Sequence, residues 1–303
     1  MFKFMIPISI VVKILQDTGL IVHVGNALAP LMKLMGLPGE MGLVWASSMI
    51  ANIYGALVAY LQIAATLEQP LTIAQVTTLG TIILIAHTFL IELVVTQRAG
   101  AKIFPMFVFR FGFAIIAGII IYWTYRFFGI LQGYPETAAS VLVGKTDPTL
   151  LEWGFSQIKN YGFIFILVTA LIILLDILKK IGAIDKFNNW LAPVLRILGI
   201  GKEVIPITVV GMTLGLAYGG ALIINSVKKD ELSKRDVFYA LILMALCHSI
   251  IEDSLLLMSI GSHYSGVFVF RTFFALIITF FFVKITSKWS DEKMSRWFYA
   301  SKN

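Results

Sequence analysis

Six apolar runs constrain this chain before anything else does: residues 4–22, 74–97, 103–125, 161–178, 235–260 and 264–283. Each is near or above the roughly 17–25 residues that cross the hydrocarbon of a bilayer. A water-exposed fold would have to cover them with polar surface. Charged residues make up only 14% of the 303 positions, against about 25% in an ordinary soluble domain. The runs predict an all-α integral membrane protein, multi-pass, in the cell (inner/cytoplasmic) membrane. Its formal net charge of +7 then reads as a cytoplasmic excess of Lys and Arg and as contact with membrane lipid, with no nucleic acid partner. The single cysteine, Cys247, excludes an intrachain disulfide and a cysteine metal cluster. The first run continues into Lys13, Gln16 and Asp17 without a small-residue cleavage pattern, so it is read as a retained first helix.

The chain also resembles itself. At a constant offset of 161, His87 meets His248, Thr88 meets Ser249, Glu92 meets Asp253, Gly100 meets Gly261, and Phe107–Arg110 meets Phe268–Arg271. Upstream, Leu28–Pro30 matches Leu191–Pro193, and Tyr54–Gly55 matches Tyr218–Gly219. Aligned His, Arg, Pro and Tyr-Gly in fixed order are not expected of unrelated apolar sequence. The organisation read from this is a first membrane repeat over 1–128, an external linker over 129–159, a second repeat over 160–287 and a basic amphipathic cytoplasmic tail over 288–303. Thr72–Gln75 has the form of a helix capping box, and Ser233–Asp236 is a weaker version of it.

Loop charge sets the orientation. The loop after 41–66 carries Glu68, whereas the loop after 204–227 carries Lys228, Lys229, Lys234 and Arg235. The basic loop should be cytoplasmic and its acidic counterpart external. Segment 204–227 then begins and ends on one side, as a re-entrant hairpin broken near Gly215, Gly219 and Gly220; Gly55 marks the matching break. Three spans plus one hairpin per repeat is an odd number of crossings, which gives inverted-topology repeats with both termini cytoplasmic. The other reading is that 204–227 spans outright.

Ionisable residues inside apolar runs are costly and mark functional candidates. His87 and His248 fall near the middle of theirs; each either binds a solute, a metal or a proton, or bonds a carbonyl on a neighbouring helix. Glu92, Glu252 and Asp253 follow within two turns. Arg110 and Arg271 open the next helices, at a depth that favours Glu92–Arg110 and Asp253–Arg271 pairs and leaves ion coupling open. Glu252 has Ile91 as its counterpart, so the halves are chemically unequal. Ser249, Asn52, Tyr54, Tyr218 and Asn225 are further substrate-binding candidates on or near the hairpins. His87, His248 and Glu252 are candidate metal ligands. The glycine breaks either line a polar cavity or permit tight helix packing. HExxH, Walker A and GxSxG motifs are absent from the sequence, so no enzyme activity and no cofactor is expected.

The run His248–Ser254 (HSIIEDS), preceded by Gly215–Ile223 (GLAYGGALI), resembles the nucleoside-recognition or Gate domain membrane proteins. That family is related to spore-maturation-type proteins and to the membrane part of Feo-type ferrous iron transporters. Repeat one departs from the motif, reading His-Thr-Phe-Leu-Ile-Glu at 87–92. The resemblance implies transport of a small-molecule or ion substrate through a midplane site between the repeats. It leaves a nucleoside-like solute and a divalent metal undistinguished. It also leaves open a non-transporting membrane partner or signalling module, a lipid-handling protein, and assembly as a homodimer or with a related membrane partner. In a chain with Cys247 replaced, single cysteines at Glu68 and Lys228 are expected to label from opposite faces of the membrane. Labelling of both from one face would eliminate the inverted arrangement.

Overall fold

The structure, a computed structural model, describes residues 2–136, 149–228 and 232–299; the side chains of Ala217, Tyr218 and Lys228 lie outside that description. So do most of the linker (137–148), Lys229–Glu231 of the basic loop, and the tail beyond Tyr299. Helices account for most of the described residues, and the one β pairing among them is the isolated bridge between Ala101 and Tyr299. The all-α membrane reading holds. Ile73–Arg98, Ile103–Phe128, Leu150–Lys180 and Ser265–Thr286 are each long and apolar enough to cross a membrane.

The chain forms two compact units. Unit 1 comprises Met1–Thr88, Ala114–Leu171 and Ser254–Val267; unit 2 comprises Phe89–Phe113, Ile172–Asp253 and Phe268–Asn303. These boundaries cut across the two halves read from the sequence. Each unit holds the early helices of one half and a segment from the later part of the other.

In unit 1, α1 (Phe2–Asp17) and α2 (Leu20–Leu34) bend by 100° at the break around Gly19. Gly19 sits at φ +71, a left-handed conformation that glycine adopts without steric cost. The first apolar run is therefore shorter as a straight helix than the 4–22 expected. Next come α3 (Met41–Ile50) and α4 (Ile53–Ala64), then α5 (Ile73–Ile85). Ten residues of helix rise about 15 Å, about half of the hydrocarbon thickness, so neither α3 nor α4 crosses alone. The Thr72 capping box forms as expected: Thr72 Oγ1 accepts from Gln75 N and Gln75 Oε1 accepts from Thr72 N. The buried threonines of α5 return their hydroxyls to carbonyls four residues back, at 2.6 Å for Thr77 and 2.8 Å for Thr78 and Thr81. A hydroxyl paired this way enters an apolar interior at low cost.

Segment 89–98 forms α6 (Phe89–Arg98), assigned to unit 2, and α7 (Ile103–Phe128) follows. The helix α8 (Leu150–Lys180) begins well before residue 160, so its first turns come from the expected linker. In unit 2, α9 (Ala183–Ile197) follows Gly182, again at φ +71. Then α10 (Ile205–Leu214) and α11 (Leu216–Lys228) meet at Gly215, φ +103. A Cβ built on Gly219 would stand 2.5 Å from the Cα of Gly211. Residues eight apart in a straight helix are separated by about 12 Å. The chain therefore doubles back, and 204–227 is a hairpin of two short helices, the first of the two readings above.

The last elements are α12 (Lys234–Leu246), α13 (Glu252–Met258), a π-helical turn (Ser265–Phe270), α14 (Arg271–Thr286) and α15 (Asp291–Trp297). Ser233 makes no side-chain cap, and Asp236 instead accepts from Gly201 N at 3.2 Å. The tail folds back on unit 2. Arg235 donates to the carbonyls of Ser287 (3.0 Å) and Trp289 (2.8 Å) and pairs with Asp291 at 2.6 Å. Lys102 N donates to Phe298 O at 2.7 Å, and the Phe298 ring stacks on Phe238 with centroids 5.0 Å apart. One end of unit 2 thereby gathers the 98–102 turn, the start of α12 and the tail.

The Gly211–Gly219 approach sets a stability test. Gly219→Ala is expected to destabilise the detergent-solubilised protein by about 1–3 kcal/mol through overpacking. Gly112→Ala, whose new methyl meets nothing within 4 Å, should be neutral or stabilise by up to about 1 kcal/mol through helix propensity. Thermal unfolding followed by circular dichroism separates the two.

Candidate functional site

The two histidines share a structural position that hydropathy did not foresee. Each sits at a break in its helix, where an unbroken span was expected. One break runs over Ala86–Thr88 between α5 and α6, and the other over Cys247–Ile251 between α12 and α13. Thr88 and Ser249 adopt φ +52 and +46, which costs a β-branched or ordinary side chain energy. A break also frees N–H and C=O groups, and in hydrocarbon these need protein partners.

In unit 1 the α3–α4 hairpin supplies them. Trp45 Nε1 donates to Ala86 O at 3.2 Å, and Thr88 N donates to Ser48 O at 2.8 Å. His87 is buried, with Nδ1 3.0 Å from Ile83 O. Asn52 takes a structural part here as the N-cap of α4, its Oδ1 accepting from Gly55 N at 3.1 Å. Tyr54 is half-buried on α4. A Cβ on Gly55 would stand 2.9 Å from Ile8 Cδ1, so this glycine serves close packing against α1.

In unit 2 the α10–α11 hairpin and Arg271 share the task. Ile250 N donates to Met212 O at 2.9 Å, and a Cβ on Gly215 would stand 2.8 Å from Ser249 Oγ. Arg271, 1% exposed, donates through Nε to Leu246 O (3.2 Å) and through Nη2 to His248 O (2.6 Å). The guanidinium thus serves the freed carbonyls of the break, a use that the expected pairing with Asp253 did not include. Asp253 is buried in the first turn of α13, and its N–H donates to Ser249 O at 3.1 Å. Glu252, beside it, is only partly buried.

The other arginine makes the expected pair. Arg110 Nη1 lies 2.5 Å from Glu92 Oε2, both side chains being nearly inaccessible, and the guanidinium also packs 5.1 Å from the ring centroid of Phe89. The second Glu92 oxygen, Oε1, lies 3.2 Å from His248 Nε2. Glu92 and Arg110 come from the first half of the sequence and His248 from the second, yet all three belong to unit 2.

The His248 contacts constrain its protons. Nδ1 lies 2.8 Å from Met244 O, and a carbonyl only accepts, so Nδ1 carries hydrogen. A neutral ring would then present a bare lone pair at Nε2 to Glu92. A hydrogen bond between them needs one more proton, on the imidazole or on the carboxyl. Arg110, Glu92 and His248 thereby form a buried polar cluster beside a helix break.

Other sequence candidates fall elsewhere. Asn225 is exposed on α11. Gly220 packs α11 against α6, a Cβ there standing 2.3 Å from Val95 Cγ1. Tyr218 lies on α11 with its side chain outside the description. Trp45 is not among the candidates above, yet with Ser48 it closes the first break. The available signal was an indole N–H in an otherwise apolar helix, which requires a buried acceptor.

Residues 1–125 match the Gate family, described as nucleoside recognition. That stretch is nearly the first half as read from internal similarity. The whole chain is similar to the membrane protein YvoD of Bacillus subtilis (strain 168), 26% identical over 97% of this chain and 93% of that one. No solved structure matches. The Gate match falls on the half with the degenerate His-Thr-Phe-Leu-Ile-Glu motif. The matched stretch therefore supplies Glu92 and Arg110, and the remainder of the chain supplies His248.

Removing one member of a buried pair strands the other. Arg110→Met is expected to lower unfolding stability by about 3–5 kcal/mol. Combining it with Glu92→Leu should recover most of that loss, since no buried charge is then left over. Additive losses in the double variant, measured by unfolding in mixed micelles, would show that the pair does not act as a unit.

Proposed function

We propose that this chain is a non-enzymatic membrane transporter of a small polar solute or ion, with coupling to proton movement at Glu92 and His248. One observation carries the reading: a buried 3.2 Å contact between Glu92 and His248, set beside the Arg110 cation. Chains of carboxylates and histidines within membrane segments are a recurring device for proton relay. Helix breaks supply the polar backbone that such sites use, tolerable in hydrocarbon when protein covers it.

The repeated backbone supports an internal two-fold design. Gly19 and Gly182, Thr88 and Ser249, and Gly100 and Gly261 each pair a positive φ at corresponding positions. Under an inverted arrangement, the end of unit 2 that holds Arg98, Lys102, Lys234, Arg235, Lys288 and Lys293 is cytoplasmic, and the Glu68 loop is external. The Gate match favours a nucleoside-like solute. The buried His and carboxylate set suits a divalent metal as well.

The reading is testable in proteoliposomes carrying a pH-sensitive dye. Uridine or Mn²⁺ added outside should move protons with wild-type protein. His248→Gln and Glu92→Gln should each reduce that signal at least tenfold while solute binding, followed by thermal shift, persists. Proton movement that survives both substitutions would remove the coupling assignment. Solute uptake with no proton movement in the wild type would do so too.

A further inference from the structure

A cleft of about 1490 Å³ opens in unit 1, separate in sequence and in chemistry from the Glu92 cluster. Its wall is unusual for a membrane protein. Gln62 on α4 donates through Nε2 to Gln157 Oε1 on α8 at 2.7 Å. Asn160 stands one turn further along α8 and is 2% exposed; Gln62 and Gln157 are 7% and 5% exposed. Trp153, Tyr122 and Tyr134 also face the cleft.

Three polar atoms of this wall, Gln62 Oε1, Asn160 Oδ1 and Trp153 Nε1, are buried with no hydrogen-bond partner among the described residues. Buried polar atoms are ordinarily paired, and leaving them unpaired is costly. The terminal torsion of an Asn or Gln is broad, so a modest rotation brings either acceptor to the cleft surface. Two acceptors and one donor then await a ligand that offers N–H or O–H groups and a carbonyl.

Charge narrows the class. The buried amides of the wall, Gln62, Gln157 and Asn160, carry no charge, whereas Lys13, Asp17, Glu40, Glu68, Glu152 and Lys159 also line the cleft. At the rim, Lys13 is paired with Asp17 at 2.6 Å, and Glu152 caps its own helix through Thr149 N at 3.0 Å. Burying an ionised ligand group against amides alone would leave its charge uncompensated. Aromatic side chains beside hydrogen-bonding amides favour a flat or ring-shaped solute, because stacking and directed polar contacts act together.

We propose that the cleft bounded by Gln62, Gln157, Asn160 and Trp153 is a binding site for an uncharged ring solute bearing hydroxyl or amide groups. The site is independent of the Glu92–His248 reading, and it can hold whether or not that coupling does.

The test uses the full chain in detergent, with uridine, glucose and nicotinamide as uncharged probes and uridine 5′-monophosphate as a charged one. Quenching of Trp153 fluorescence and thermal shift report binding; Trp153→Phe identifies which part of the emission arises there. At least one uncharged probe is expected to bind saturably, with at least tenfold weaker affinity in Asn160→Leu and in Gln62→Leu. The charged probe should bind more weakly than uridine. Glu92→Gln should leave these affinities unchanged, which separates failure of this site from failure of the coupling mechanism. Should either leucine variant fail to fold, Gln157→Glu supplies the second reading: a charge placed in the wall should weaken the uncharged probe at least tenfold. Absence of saturable binding by all three uncharged probes, or unchanged affinity in the variants that fold, would overturn the proposal.

Discussion

Backbone hydrogen bonding in hydrocarbon is the constraint on which the rest of this structure depends. An unbroken helix satisfies it internally, and a broken one transfers the obligation to its neighbours. This chain breaks two helices at a histidine and assigns a hairpin to each break. The α3–α4 hairpin places Trp45 and Ser48 against Ala86 and Thr88, and the α10–α11 hairpin places Met212 against Ile250. The short length of the hairpin helices follows from the same requirement. A helix of full spanning length would run past the break, whereas one of ten residues ends near the depth where the freed groups need partners.

The composition of the units extends this logic. Unit 2 incorporates α6 and the beginning of α7, and unit 1 incorporates Ser254–Val267. Chain continuity at each break thus runs from one unit into the other, and the histidines stand at those passages. In unit 2 the exchange brings Glu92 and Arg110 to His248. A polar cluster of this kind arises only where segments from both halves of the sequence meet.

Much of this was legible in the residues, and the failures have a common cause. The membrane class, the α7 span, the hairpin at Gly215, the Thr72 capping box and the Glu92–Arg110 pair all rest on signals that are local or periodic. The breaks at His87 and His248 left no such signal. Ala86–Thr88 contains neither glycine nor proline, and an apolar window reads straight through it. What holds Thr88 at positive φ is tertiary: a Ser48 carbonyl and a Trp45 ring brought in from forty residues away. Gly19 is the opposite case, a glycine inside an apolar run whose turning role was available and was not read. The tail illustrates a third limit. Its basic, aromatic pattern is compatible with lying on a membrane, and the Arg235–Asp291 pair, the Lys102–Phe298 hydrogen bond and the Phe298–Phe238 stacking reveal that it closes over its own unit.

The sequence places its asymmetry at Glu252, the acid with no partner in the other half. The geometry moves the emphasis to residues that do match. Arg110 and Arg271 occupy corresponding positions, yet one neutralises a carboxylate and the other serves two backbone carbonyls. Glu92 and Asp253 correspond as well: Glu92 Oε1 lies 3.2 Å from His248 Nε2, and a carboxylate oxygen of Asp253 lies within 4.8 Å of a His248 ring nitrogen.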